Sequence, residues 1–131
     1  MIFGHGVDIV DTRRFEKWVR DGSLIQRYFN KEEMSSVPEE LTERRISALC
    51  QHYAVRFAAK EAFSKALGTG ISGFDLRDLY IRNDERGKPY IVMEGTAEKI
   101  FKEIVGKGTV HVSLSHEKEY GIASVIIEIT P

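Results

Sequence analysis

The stretch Arg56-Phe57-Ala58-Ala59-Lys60-Glu61-Ala62-Phe63-Ser64-Lys65-Ala66-Leu67-Gly68-Thr69-Gly70 decides how this chain is read. Ala, Lys, Glu, Leu and Phe dominate it, and neither Pro nor Gly interrupts the residues from Leu41 to Leu67, so a long helix is predicted there. Gly68 suits the left-handed residue that ends a helix. At about 100° per residue, Ile46, Leu49, Tyr53, Phe57, Phe63 and Leu67 fall on one broad apolar stripe. Glu61 and Lys65 share one flank of the stripe, one helical turn apart. Arg56 and Lys60 lie on the other side, with Lys60 close to the stripe itself. Taken alone, this describes a core helix with one ion pair. Its other content is chemical: cations beside the glycine-flanked Thr69 suit a phosphate, and the Glu61 carboxylate suits a hard metal ion such as Mg²⁺.

Upstream, Met1 to Val10 reads as a strand carried by Ile2, Val7, Ile9 and Val10 and thinned by Gly4 and Gly6. Asp8 lies between Val7 and Ile9 and therefore points to the opposite face. A carboxylate in the middle of an apolar strand is costly to bury without a partner, so a metal or a cation is expected beside it. Asp11 reads as the N-cap of a short helix from Thr12 to Val19, with Phe15, Trp18 and Val19 inward. The other face of that helix carries Arg13, Arg14, Lys17 and Arg20: ordinary solvated cations, or a docking face for an acidic partner. Asp21-Gly22 breaks the helix, Leu24 to Phe29 reads as a short helical turn, and Asn30 caps a turn rich in acids. Residues 35–40, with Pro38, read as a loop.

Downstream, a loop anchored by Phe74 leads to a hairpin. Its strands are Leu79 to Asn83 and Lys88 to Met93, its turn is Asp84 to Gly87, and Pro89 fits an edge. Thr96 to Val105 reads as a helix with Ala97, Ile100, Phe101 and Ile104 inward. Val110 to His116 alternates as a strand, with Val110, Val112 and Leu114 on one face and His111, Ser113 and Ser115 on the other. Tyr120 to Ile129 is a last apolar strand. The fold class is α+β: a small antiparallel sheet packed against a long helix.

The chain has 131 residues, 42% apolar and 30% charged, which suits one globular domain over residues 1–131. A net charge of −1 argues against general nucleic-acid binding. Cys50 is the single cysteine; it reads as a small buried hydrophobe in a reducing, cytoplasmic setting. No basic-then-apolar leader opens the sequence, and no apolar run reaches the roughly 20 residues of a membrane helix.

Three stretches together resemble one family. They are Gly6-Val7-Asp8-Ile9-Val10-Asp11, the stretch Arg56 to Gly70, and Val112-Ser113-Leu114-Ser115-His116, with Gly87-Lys88-Pro89-Tyr90 as a further match. The chain resembles the short bacterial phosphopantetheinyl transferases of the holo-(acyl-carrier-protein) synthase type, in order and over nearly its whole length. The resemblance implies the 4′-phosphopantetheinyl transferase fold. It also implies transfer of 4′-phosphopantetheine from coenzyme A to a serine of acyl carrier protein, with Mg²⁺, in fatty acid biosynthesis. It implies a homotrimer with each active site between two subunits, and no nucleic-acid or membrane partner. Onto this sequence it carries Asp8 and Glu61 as metal-holding residues and Lys65 as the cation on the transferring group. It assigns Arg56, Lys60, Lys65, Gly68, Thr69, Gly70, Lys88, Pro89, Ser113, Ser115 and His116 to the coenzyme A cleft. The serine proton leaves to Asp8, directly or through water. Arg13, Arg14, Lys17 and Arg20 would face the acidic carrier protein. Two competing readings remain open on residues alone. One is a Mg²⁺-dependent phosphohydrolase using the same carboxylates; the other is a non-catalytic oligomer that binds an acidic partner.

Overall fold

The computed structural model describes residues 1–36 and 39–131. Part of the expected loop at 35–40, Pro38 included, therefore lies outside the described residues. Strand β1 (Ile2–Asp11) runs into a tight helical turn (Thr12–Phe15), then helices α1 (Glu16–Asp21) and α2 (Ser23–Tyr28). A single turn at Lys31–Glu33 precedes the long helix α3 (Glu43–Leu67). Two further turns, Ile71–Gly73 and Leu76–Asp78, lead to the hairpin of β2 (Leu79–Asn83) and β3 (Pro89–Met93). Helix α4 (Gly95–Ile104) and strands β4 (Gly108–His116) and β5 (Tyr120–Ile129) complete the chain.

The strands form two sheets. Antiparallel β1-β5-β4 has β5 at its centre, and β2-β3 stands as a separate hairpin. Helix α3 crosses the inner face of the larger sheet. That face is built from small residues on both sides. A Cβ on Gly4 would lie 1.9 Å from the Ala66 carbonyl oxygen, and one on Gly6 would lie 1.9 Å from that of Ala62. These glycines therefore do more than thin a strand: they let its backbone rest on the helix. The two repeats also match. Four helical residues rise about 6 Å, and two strand residues about 6.7 Å. Gly4 at Ala66 and Gly6 at Ala62 thus put Asp8 about one helical turn further toward the N-terminus of α3, level with the turn that carries Glu61.

The same geometry fixes which face of the strand is inward. Val7 and Ile9 do not join the core. They sit on the outer face of the sheet, 53% and 60% exposed, while Asp8 takes the inward position beside Val10. The outer face also carries Phe3, Tyr120 and Ile122, all exposed. Asp8 therefore faces opposite to Val7 and Ile9, as the alternation along β1 predicts, and the buried face is the one that carries Gly4, Gly6 and Asp8. One expectation is corrected: Ile104 is 40% exposed rather than inward.

Helix α3 differs from a one-stripe helix. From Tyr53 to Leu67 nearly every residue is buried, including Ala58, Ala59, Ala62 and Ser64. It is the central element, covered by the sheet on one side and by α1, α2 and the hairpin on others. Aromatic rings seal the α1–α2 side: Phe15 packs on Trp18 with centroids 4.7 Å apart, and Phe29 on Tyr53 at 5.0 Å. Two caps fall where the sequence places them, and Thr42 adds a third. Asp11 accepts from the Arg13 amide, Asn30 and Glu33 form a reciprocal box, and Thr42 opens α3. Gly68 ends α3 at φ 88°. The helix starts at Glu43 rather than Leu41, and the Thr12–Phe15 segment is a tighter helical turn that passes into α1.

Replacing Gly6 by Ala forces the strand off the helix. It is expected to lower stability by about 3 kcal/mol, read as a lower urea midpoint; a midpoint equal to that of the unaltered protein would contradict this packing.

Candidate active site

Asp8 and Glu61 meet where β1 crosses α3. Asp8 is only 9% exposed. Its Oδ1 accepts from Lys65 Nζ at 3.0 Å, and the same ammonium donates to the Val7 carbonyl at 3.0 Å. Its Oδ2 is buried without a hydrogen-bond partner among the described residues. Burial is the largest influence raising the Glu61 pKa above its ordinary value; the Asp8 carboxylate beside it adds to it, and Arg14 and Lys65 pull it back. Two carboxyls this close, one oxygen unsatisfied, form a site short of positive charge. Carboxylate oxygens are hard donors, so a Mg²⁺-type ion fits them. No cluster of three or more His, Cys, Asp or Glu side chains suited to a metal occurs among the described residues. Two protein carboxylates, with water and substrate oxygens completing the shell, is a usual arrangement for Mg²⁺.

Beside Glu61 lies a cavity of about 640 Å³. Trp18, Tyr28, Phe57 and Phe74 give it an aromatic lining, and Arg14 and Arg27 contribute charge. The Arg14 guanidinium lies 5.8 Å from the centroid of Phe57, and that of Arg27 lies 5.3 Å from the centroid of Tyr28. Sequence reasoning found Arg14 but missed Arg27, Trp18 and Tyr28 as a site. The basic-aromatic pair Arg27-Tyr28 was the available signal; only the chain reversal at Gly22 (φ 80°) brings it opposite Arg14.

A second cavity, about 400 Å³, gathers Arg56 from α3, Pro89 from the hairpin and His116 from β4. These are three of the residues assigned to the coenzyme A cleft, and their convergence needs the whole fold. His52 and Asn83 line it as well and were not foreseen. Arg56 donates to the His52 carbonyl at 3.1 Å, but its Nε is buried without a partner. Burial pushes its pKa down, while the Glu33 carboxylate pulls it back up. A half-buried guanidinium with an idle donor suits an anion.

Of the other assigned residues, one needs correction. Lys60 does not line a cleft: it is 1% exposed. Its ammonium donates to Glu33 Oε1 at 2.7 Å, to the Leu76 carbonyl at 2.8 Å and to the Leu79 carbonyl, which uses all three protons. Ser113 and Ser115 stand on the exposed outer face of β4, away from Arg56 and on the opposite side from Leu114 and His116. Lys88 is exposed in the hairpin turn, where its amide donates to Asp84. Gly68, Thr69 and Gly70 form the helix end beyond Lys65, and the Thr69 hydroxyl donates to the Gly70 carbonyl. The run Gly68-Thr69-Gly70-Ile71-Ser72-Gly73 has Gly-x-Gly-x-x-Gly spacing, but it follows a helix, whereas a dinucleotide turn follows a strand. On the basic face, Arg13 is held by Asp11 at 2.7 Å and Arg20 by Glu16 at 3.1 Å. Arg14 and Lys17 form no salt bridge among the described residues.

Two carboxylates beside a cation, with an aromatic and an anion-seeking cavity nearby, suit a phosphoryl-transfer site. Residues 4–124 match the model of the 4′-phosphopantetheinyl transferase superfamily. The chain belongs to that superfamily. It is 49% identical to the holo-(acyl-carrier-protein) synthase of Treponema denticola, over 98% of this chain and 99% of that one. Among solved structures, the holo-(acyl-carrier-protein) synthase from Bacillus anthracis, in complex with CoA (3′,5′-ADP), superposes with a TM-score of 0.75. It is 34% identical, covering 99% of each chain. The synthase from Plasmodium yoelii gives 0.82 at 28% identity, over 100% of this chain and 98% of that one.

In the metal-free protein, Asp8→Asn is expected to lower the Glu61 pKa toward 4.5, followed by carboxyl-carbon NMR titration. The folded chain holds the Glu61 proton more tightly than the unfolded chain does. The stability this provides is therefore full at acid pH and lost as pH rises through the raised pKa. A Glu61 titration unmoved by the substitution would show that the two carboxyls do not interact.

Proposed function

We propose that this chain transfers the 4′-phosphopantetheine group from coenzyme A to a serine hydroxyl of an apo acyl carrier protein, with release of adenosine 3′,5′-bisphosphate. The observation that carries this reading is the meeting of Asp8 and Glu61, one carboxylate oxygen without a partner, under the Lys65 ammonium. The serine oxygen forms a new bond to the β-phosphorus, and the pyrophosphate bridge breaks on its far side. Such a transfer needs positioning and charge stabilisation more than covalent help. Asp8 and Glu61 would hold the Mg²⁺, which supplies positive charge to the pyrophosphate oxygens when bound. Lys65 stands one turn from Glu61 and offers its ammonium to the transferring phosphoryl group. Arg56 and His116, with Pro89 beside them, suit the nucleotide end, where Arg56 Nε has no other partner. The serine proton passes to Asp8, directly or through water.

The acidic carrier protein meets Arg14 and Lys17, joined by Arg27 across the aromatic lining, rather than the internally paired Arg13 and Arg20. The working unit is a homotrimer with sites between subunits. Exposed Phe3, Val7, Ile9, Tyr120 and Ile122 on one sheet face support burial against further copies. A cytoplasmic location and a place in fatty acid biosynthesis go with this reading; buried, unpaired Cys50 suits a reducing compartment.

Glu61→Gln is expected to fold normally and to lose Mg²⁺-dependent transfer by about 100-fold or more, measured as the mass gain on purified apo carrier protein. Full activity would defeat the metal assignment. Arg14→Glu is expected to raise the KM for carrier protein about tenfold while coenzyme A affinity stays unchanged; equal loss of both would remove the docking role.

A further inference from the structure

The Lys60–Glu33 pair lies inside the protein, yet it holds what walls both cavities. Glu33 Oε1 accepts from Lys60 at 2.7 Å and from the Asn30 amide at 3.2 Å; Oε2 accepts from the Ile81 amide at 3.3 Å. The Glu33 carbonyl is bonded to His52 Nε2 at 2.6 Å. Lys60 in turn holds the Leu76 and Leu79 carbonyls. One ion pair thus ties the Lys31–Glu33 turn, the Leu76–Asp78 turn and β2 to helix α3.

Those attachments lead to the site from two sides. Leu76 and Arg77 wall the cavity beside Glu61. Strand β2 is paired to β3 through Asn83 and Pro89, and both residues wall the Arg56 cavity, as does His52. The hairpin is not hydrogen-bonded into the β1-β5-β4 ladder. Its distance from α3 is therefore set by the packing of Leu79 and Ile81 in the core and by this ion pair, whose directional bonds fix the spacing. Net stability is a weak reason for such a pair, because well-packed apolar residues often do as well or better. Fixing the distance between elements is a stronger one.

We propose that Lys60 and Glu33 are positioning residues for coenzyme A, holding the hairpin and the 76–78 turn at the spacing from α3 that the cofactor requires. This rests on the function proposed above. The pair touches no part of the Asp8–Glu61 site directly, so its loss should weaken coenzyme A binding and spare the metal.

The test uses Glu33→Gln, which removes the charge and keeps an acceptor for Lys60. The dissociation constant of coenzyme A, measured by calorimetry, is expected to rise about tenfold or more. That of Mn²⁺ in the absence of coenzyme A should stay within about twofold of the unaltered protein, as it depends on Asp8 and Glu61. If Glu33→Gln does not fold, Glu33→Asp keeps the charge, shortens the reach and carries the same expectation. Ile127→Val weakens the core away from the pair and should leave coenzyme A affinity unchanged. A folded Glu33 variant with unaltered coenzyme A affinity overturns the proposal, as does an equal loss in Ile127→Val. Transfer by the unaltered protein is assayed in parallel. Coenzyme A binding without transfer would overturn the proposed reaction alone; absence of binding would overturn both.

Discussion

The contact on which the structure depends is backbone against backbone. Gly4 and Gly6 press on the Ala66 and Ala62 carbonyls, with no room for a Cβ between them. Nothing larger would let β1 approach α3 so closely. Because strand and helix advance by nearly equal steps there, the next inward residue, Asp8, arrives level with Glu61. The two glycines therefore matter to the chemistry as much as to the packing: they set the separation of the two carboxylates.

The protein buries charge in two contrasting ways. Around Lys60 and Glu33 the ammonium and the carboxylate are bonded on every side, to one another and to backbone groups. That arrangement is complete and calls for no ligand. Around Asp8 and Glu61 it is incomplete. Lys65, half exposed, bonds Asp8 Oδ1 and the Val7 carbonyl, and Asp8 Oδ2 has no partner among the described residues. An unsatisfied buried polar group costs about 1–3 kcal/mol, more when charged. A chain that keeps such a group beside a second carboxylate keeps a place for a cation. Arg56 repeats the pattern with opposite sign: it lines a cavity, and its buried Nε has no partner among the described residues.

Much of this was legible in the chain itself. Asp8 stood out as a charge in an apolar strand, and its parity to Val7 and Ile9 gave its direction relative to them. Glu61 and Lys65 were placed by helical spacing, and Gly68 by the demand for a left-handed helix end. What the residues did not reveal depended on distant partners. Lys60 looked like a ligand-facing cation because its counter-charge, Glu33, sits 27 residues away in a separate turn. The residues alone did not say which face of β1 is buried, because a close-packed glycine face carries little hydrophobicity of its own. Arg27 and His52 acquire meaning only after α2 folds back at Gly22 and the hairpin docks on α3. The division of the strands into two sheets, with the last strand at the centre of the larger one, likewise follows from long-range pairing that periodicity does not encode.

The central claim is that a strand aspartate and a helix glutamate grip one divalent ion. Anomalous diffraction from crystals soaked in Mn²⁺ tests it most directly. The account predicts a single strong peak within bonding distance of Asp8 and Glu61 oxygens. A peak held by other residues, or none at this pair while Mn²⁺ supports transfer in solution, would contradict it.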